Sequence, residues 1–154
     1  MDAITYRRLG PELAGELLTV QRAAFLSEAR AYASLDIPPL TETLEDLRRE
    51  LASNITIGAF LGHRVVGGAR LTLEGEIGWI SRVAVAPDLQ GNGIGSGLLK
   101  ALEAAAPPEV RRFKLGAGAK SAANIAMYEA RGYKEVSRTL DSAGIELVIM
   151  ARRR

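Results

Sequence analysis

Residues 89–99 read LQGNGIGSGLL, with Gly91, Gly93, Gly95 and Gly97 at alternate positions. They separate a strand of branched residues, WISRVAVA at 79–86, from a helix marked by Leu98, Leu99, Leu102 and Ala106. Glycine costs about 1 kcal/mol against alanine in a helix and loses the most backbone entropy on folding. Four glycines where a helix must nucleate therefore need a compensating reason, either a tight turn or a backbone brought close to a ligand. Pro107 and Pro108 close the helix, and RRFKLGA returns the chain to a strand, so the segment is a strand–loop–helix–strand unit.

The flanks extend the pattern. ITYRRL (4–9) reads as a first strand. From Pro11 onward Leu13, Leu17, Val20 and Ala24 fall at helical spacing, and Pro38 and Pro39 are expected to break that helix. TETLEDLRREL places Leu44, Leu47 and Leu51 on one face of a second, amphipathic helix. ITIGAFL and VVGGARLTLE are strands joined through Leu61, Gly62, His63 and Arg64, and the turn Glu74, Gly75, Glu76 leads into WISRVAVA. SAANIAMYEARGY reads as a helix with Ser121 as N-cap and Gly132 as its stop, followed by strands near 133–139 and 145–151. The order β α α β β β α β α β β implies one layered domain over residues 1–154, with helices on both faces of a mixed sheet.

Composition narrows the chemistry. The 154 residues include no cysteine and one histidine, His63, which removes disulfides, thiol nucleophiles and nearly every zinc or haem constellation. His63 reads as a hairpin-turn residue, and no metal is expected. Twenty basic against eighteen acidic residues leave a net charge of +2, and only 5% of residues are aromatic, so a nucleic-acid partner is not expected. No apolar run approaches the roughly 20 residues that span a bilayer, and the N-terminus has no signal-peptide pattern. The expectation is a cytoplasmic protein with no membrane partner.

Nucleotide motifs fail on the glycines. Counted from Gly91, the sixth position of a dinucleotide fingerprint is Ser96; counted from Gly93, it is Leu98. A P-loop would need Lys directly after its second glycine, and Lys100 stands five residues beyond Gly95. What remains is general physics. Residues without side chains at a helix N-terminus let unpaired N–H groups point at an anion, which the helix dipole also favours. A glycine-rich turn with close helix packing and no ligand is the alternative.

VAVAPDLQGNGIGSGLL resembles the acyl-CoA-binding segment of the GNAT superfamily of N-acetyltransferases. The family pattern is Gln or Arg, two residues, Gly, one residue, then Gly or Ala, and Gln90, Gly93 and Gly95 match it. Val83, Val85 and Pro87 match the preceding V-x-V-x-P, and Asn124, Tyr128, Gly132 and Tyr133 match a later segment. The resemblance implies an α/β (α+β) domain whose mixed, mostly antiparallel central sheet is flanked by about four helices and splayed near the middle.

It also implies roles. Main-chain groups of Val83, Ala84 and Val85 would pair with the pantetheine arm of acetyl-CoA as a missing strand would, while the valine side chains read as core. Gln90, Gly91, Asn92, Gly93, Ile94, Gly95 and Ser96 would wrap the pyrophosphate, and Asn124 would touch the cofactor arm. Tyr128 would protonate the departing thiolate; read without the resemblance it is an amphipathic core residue. The glutamate base that some relatives carry on the fourth strand has no counterpart here, where Trp79 stands; Glu28, Asp36, Glu74 and Glu76, or a base acting through water, all remain open, and each carboxylate also reads as an ordinary solvated group. Glu28 and Tyr32 fall in the segment expected to bind the acceptor. That acceptor would be a small-molecule amine, or a peptide N-terminus or lysine, with room for a homodimer. A catalytically silent acyl-CoA-binding sensor or interaction module of the same fold is the alternative function, and nucleotide binding is a third.

Overall fold

Gly67 and Gly68 lie back to back in the middle of the sheet, and helices press on them from opposite sides. A Cβ on Gly67 would stand 3.1 Å from Leu98 Cδ1, and one on Gly68 would stand 2.5 Å from Leu17 Cδ1. Leu98 and Leu17 belong to helices on the two faces, so this close approach fixes a three-layer arrangement.

The computed structural model describes residues 3–154. The chain runs β1 (Ile4–Arg8), a 3-10 turn (Pro11–Leu13), α1 (Ala14–Ala31), α2 (Pro38–Thr41), α3 (Leu44–Ser53), β2 (Ile55–Leu61), β3 (Arg64–Glu74) and β4 (Ile77–Val85). A second 3-10 turn (Pro87–Leu89) leads to α4 (Ile94–Ala105), β5 (Arg112–Gly118), α5 (Ala122–Ala130), β6 (Lys134–Leu140) and β7 (Glu146–Arg153). The strands form one seven-stranded sheet in the order β1-β2-β3-β4-β5-β7-β6, in which only the β4–β5 pair is parallel. This is the mixed, mostly antiparallel α/β architecture expected from the sequence, with five helices where about four were anticipated.

Alternation along β2 and β3 feeds two cores, because successive side chains point to opposite faces. Ala59 and Val66 face the larger core, with Leu98, Leu99 and Leu102 of α4 and Phe113 of β5. Their neighbours Phe60 and Val65 face the other, with Leu17 and Leu18 of α1 and Leu47 and Leu51 of α3. Helix α3 starts on a capping box, in which Thr43 Oγ1 accepts the Asp46 N–H at 3.1 Å and the Asp46 carboxylate accepts the Thr43 N–H.

Two expectations need correction. The prolines do not end α1, which stops at Ala31 before Ala33 turns left-handed (φ 50°); Pro38 instead opens α2, where a missing N–H costs nothing. Ser121 occupies the N-cap position of α5, but its side chain caps no N–H.

A buried carboxylate ties the far end of the fold together. Glu103 of α4 accepts from the Tyr133 hydroxyl at 2.6 Å, from Arg131 at 2.5 Å and from Arg152 of β7 at 2.7 Å. Deleting one donor to a buried charge costs about 1.5–3 kcal/mol. Tyr133→Phe is therefore expected to lower Tm by roughly 4–10 °C for a domain of this size, measured by circular dichroism. An unchanged Tm would show that the hydroxyl contributes nothing to the network.

Candidate active site

β4 and β5 pair for only four residues, Ile77–Ile80 against Arg112–Leu115. Beyond Ile80 the two strands part. Opposite Ala69 of β3 stand two residues of β4, Arg82 and Val83, and Arg82 takes the left-handed conformation at φ 54°. This bulge bends β4 away from β5, so Ser81, Ala84 and Val85 pair with β3 alone, while Gly116, Ala117 and Gly118 pair with β7 alone. The splay expected near the middle of the sheet is this opening.

The wedge has a volume of about 690 Å³. The glycine loop and the start of α4 form one wall, the start of α5 forms another, and α1 closes the top through Phe25 and Glu28. The site residues read from sequence fall around it unequally. Val83, Val85, Gln90, Gly91, Gly93, Ile94, Gly95, Ser96, Asn124 and Glu28 line it. Ala84, Asn92, Tyr32 and Tyr128 do not. Ala84 is buried towards the opposite face, and the Asn92 amide donates to the Leu89 carbonyl at 2.9 Å, holding the loop's shape. Both valine side chains border the wedge as well as packing against the larger core. The Gln90 amide folds back to donate to the Val85 carbonyl at 3.2 Å, so that carbonyl is already partnered.

The four glycines have separate causes. Gly91 and Gly93 are left-handed, with φ of 83° and 79°, and a Cβ on either would meet nothing within 4 Å. A Cβ on Gly95 would stand 2.9 Å from Met127 Sδ, and one on Gly97 would overlap the Tyr6 hydroxyl of β1. Gly93 serves as N-cap of α4 without a side-chain cap, and no acidic residue occupies the first turn. The N–H groups opening α4 thus face the wedge with the positive end of the helix dipole and no carboxylate to neutralise it.

Tyr128 lies in the larger core, 6% exposed, with its ring edge-on to Tyr133 at 6.3 Å. Burial, reinforced by the Glu28 carboxylate, pushes its phenol far above the ordinary range. Glu28 is itself raised, by burial and by Asp141, with Arg82 opposing. Tyr32 ends α1 with its hydroxyl accepting the Lys120 N–H at 2.8 Å, and the Lys120 ammonium sits 5.2 Å from the Tyr32 ring centre. Tyr32 is thereby a clamp between α1 and the start of α5. His63 is exposed in the β2–β3 turn. Among the described residues there is no cluster of three or more metal-ligating side chains, and no helix is long and apolar enough to cross a membrane.

The Acetyltransferase (GNAT) family model matches residues 22–133. The chain belongs to the GNAT acetyltransferase family. No curated protein matches the sequence significantly. Solved structures similar to this GNAT domain include the ribosomal-protein-alanine N-acetyltransferase of Brucella melitensis, at 25% identity and TM-score 0.77, with 97% of this chain and 99% of that chain covered. The ribosomal-protein-S18-alanine N-acetyltransferase of Escherichia coli is 19% identical with TM-score 0.79, covering 98% and 94%. The PaiA N-acetyltransferase of Thermoplasma acidophilum, in complex with coenzyme A, is 18% identical with TM-score 0.79, covering 99% and 100%.

Sequence reasoning missed the ion network behind the bulge in this GNAT domain. Glu42 accepts from Arg70 at 2.9 Å and from the Gln21 amide at 3.0 Å, and the Arg82 Nε stands 3.6 Å away. No local pattern brings these distant positions together. Burial works to raise the Glu42 carboxyl, but the hydrogen bonds from Arg70 and Gln21 and the charges of Arg70 and Arg82 outweigh it, leaving the carboxyl below the ordinary range. A carboxylate lowered by folding stabilises above its unfolded pKa, and that contribution is lost as pH falls through its folded value. Glu42→Gln should therefore lie well below wild type in stability at neutral pH and converge on it as acid protonates Glu42. Denaturant titrations from pH 7 to pH 3 check this, and a constant gap would contradict it.

Proposed function

We propose that the protein is an N-acetyltransferase that moves an acetyl group from acetyl-CoA to a primary amine by direct attack, without a metal. The observation that carries this reading is the wedge between β4 and β5 in a GNAT chain. One flank is strand backbone without a neighbour on the β5 side, and one end is a helix N-terminus free of carboxylates. The first suits strand addition by the amides of a pantetheine arm, and the second suits its pyrophosphate. The coenzyme A held by the similar Thermoplasma protein supports the same donor.

In the reaction the amine nitrogen attacks the thioester carbonyl carbon, a tetrahedral oxyanion forms, and the carbon–sulfur bond breaks as coenzyme A leaves. Tyr128 is the proposed acid to the leaving thiolate. Burial raises its phenol, so Tyr128 keeps its proton at neutral pH and gives it up less readily than a free phenol, only as negative charge builds on sulfur. A thiol of pKa about 8.5 is already a fair leaving group, so protonation is worth about 100-fold. The acceptor is a small-molecule amine, or a peptide N-terminus or lysine. Because two similar structures are ribosomal-protein-alanine N-acetyltransferases, the amine panel should include a peptide beginning with alanine.

Free-thiol release from acetyl-CoA across that panel tests the activity. Tight acetyl-CoA binding with no thiol from any amine would give a silent acyl-CoA-binding module instead. Tyr128→Phe should lower kcat by roughly ten- to several-hundred-fold and leave acetyl-CoA affinity intact, because the bond strengthens only as charge builds on sulfur. An unchanged kcat with a modest Tm shift would make Tyr128 a packing residue only. Gly95→Val would push a branched side chain between Met127 and Val85 at the wedge wall. Calorimetry should then show acetyl-CoA affinity at least about tenfold weaker, or 1.4 kcal/mol, in a folded domain; unchanged affinity would remove this wall from the cofactor site.

A further inference from the structure

Four carboxylates stand open in the sequence as the group that relieves the attacking amine of its proton, and their positions separate them. Glu74 and Glu76 are exposed in the β3–β4 turn, and six residues of extended chain, about 20 Å, separate Glu76 from Arg82 where the wedge begins. Asp36 is exposed in the α1–α2 connection, its N–H donating to Ser34 Oγ at 3.2 Å. Glu28 alone of the four borders the wedge.

Its carboxylate occupies space that a missing side chain leaves open. A Cβ on Gly118 would stand 2.6 Å from Glu28 Oε1, 2.7 Å from the Tyr32 hydroxyl and 3.1 Å from Ser121 Oγ. Gly118 is the last residue of β5, the strand from which β4 has parted, so α1 delivers Glu28 to the lip of the opening. With the Tyr32 hydroxyl bonded to the Lys120 N–H, the helix turn carrying Glu28 is fastened at that spot.

We propose that Glu28 is the base of the reaction, taking the proton of the acceptor nitrogen while Tyr128 gives its own to sulfur. This rests on the acetyl-transfer reading above. The balance closes within the pair. The nitrogen forms a bond to the acetyl carbon and loses a proton to Glu28; the carbon–sulfur bond breaks, and sulfur takes the proton of Tyr128. Return of the proton from the Glu28 carboxylic acid to the Tyr128 phenolate restores both groups, so the sum is amine plus acetyl-CoA to amide plus coenzyme A thiol.

The charges around Glu28 come from every side of the opening. Asp141 in the β6–β7 turn and Tyr128 of α5 oppose its ionisation or share its field, Arg82 of β4 favours ionisation, and Lys120 is turned onto the Tyr32 ring. Burial and Asp141 prevail, which moves the carboxyl towards the neutral range where a base is most effective.

The experiment uses the full chain with saturating acetyl-CoA and two probe amines, an alanine-initiated peptide and a simple diamine, with thiol release followed from pH 5 to pH 9. Wild-type kcat/KM, expressed on the concentration of unprotonated amine so that the acceptor's own ionisation is removed, should rise with pH through the Glu28 titration. Glu28→Gln, checked for folding by circular dichroism, should lower kcat by about 100-fold. It should also abolish that acidic limb and bind acetyl-CoA as before. Asp141→Asn should move the limb to lower pH, since removing a like charge lowers the carboxyl. The Asn amide oxygen can still accept the N–H groups of Ala143 and Ile145 that Asp141 Oδ1 accepts at 2.8 and 2.9 Å. Carboxyl ¹³C NMR of the acetyl-CoA complex should show one glutamate signal titrating above the rest, absent in Glu28→Gln. Wild-type protein that releases no thiol with any amine sinks the acetyl-transfer reading and the proton role with it. An active wild type whose acidic limb survives in Glu28→Gln, or a Glu28 that titrates with the surface glutamates, overturns the proton role alone.

Discussion

The left-handed turn of Arg82 is the constraint on which the site depends. A non-glycine residue held at φ 54° costs about 1–3 kcal/mol, and such strain persists only where the surroundings over-determine it. Here the surroundings are a charged knot beneath α1 and α2, in which Glu42 attracts the Arg82 guanidinium from 3.6 Å while itself accepting hydrogen bonds from Arg70 and Gln21. The knot holds the arginine side chain, the side chain holds the bulge, and the bulge keeps β4 off β5.

The rest of the fold braces the opening from outside. β7 runs between β5 and β6, so β5 is antiparallel-paired along its whole length on the side away from β4 and does not follow β4 as it bends. Glu103 gathers Tyr133, Arg131 and Arg152 behind α4 and α5, fixing the two helices whose N-terminal ends form the walls. On the other face Ala29, Ile37 and Ile145 pack α1 and the α1–α2 connection against the β6–β7 turn, which brings Asp141 within the field of Glu28.

The order of strands and long helices was legible because period-2 and period-3.6 patterns are strong in this chain, as in TETLEDLRREL and VVGGARLTLE. The glycine loop and its partners at Asn124 and Tyr128 were legible as a family resemblance, and the wedge gathers most of the residues they named. The bulge was not: nothing marks an arginine for left-handed backbone. Nor was the place of β7 between β5 and β6, since both candidate strands follow α5 and either order satisfies the alternation. The prolines after Leu35 carry the same signal whether they stop one helix or start another. Glu28 looked like one carboxylate among many until the fold set it, alone of the four candidates, at the border of the wedge.

The Tyr6 hydroxyl beneath Gly97 has an evolutionary consequence. Tyr6 sits on the edge strand β1, far in sequence from the glycine loop, yet its oxygen fills the space where any side chain at position 97 would begin. A mutation at 97 that added even a methyl group would force the half-buried Tyr6 ring outward, and a smaller residue at 6 would remove that conflict. A side chain at 97 is therefore expected to be tolerated better beside a smaller residue at 6 than beside tyrosine.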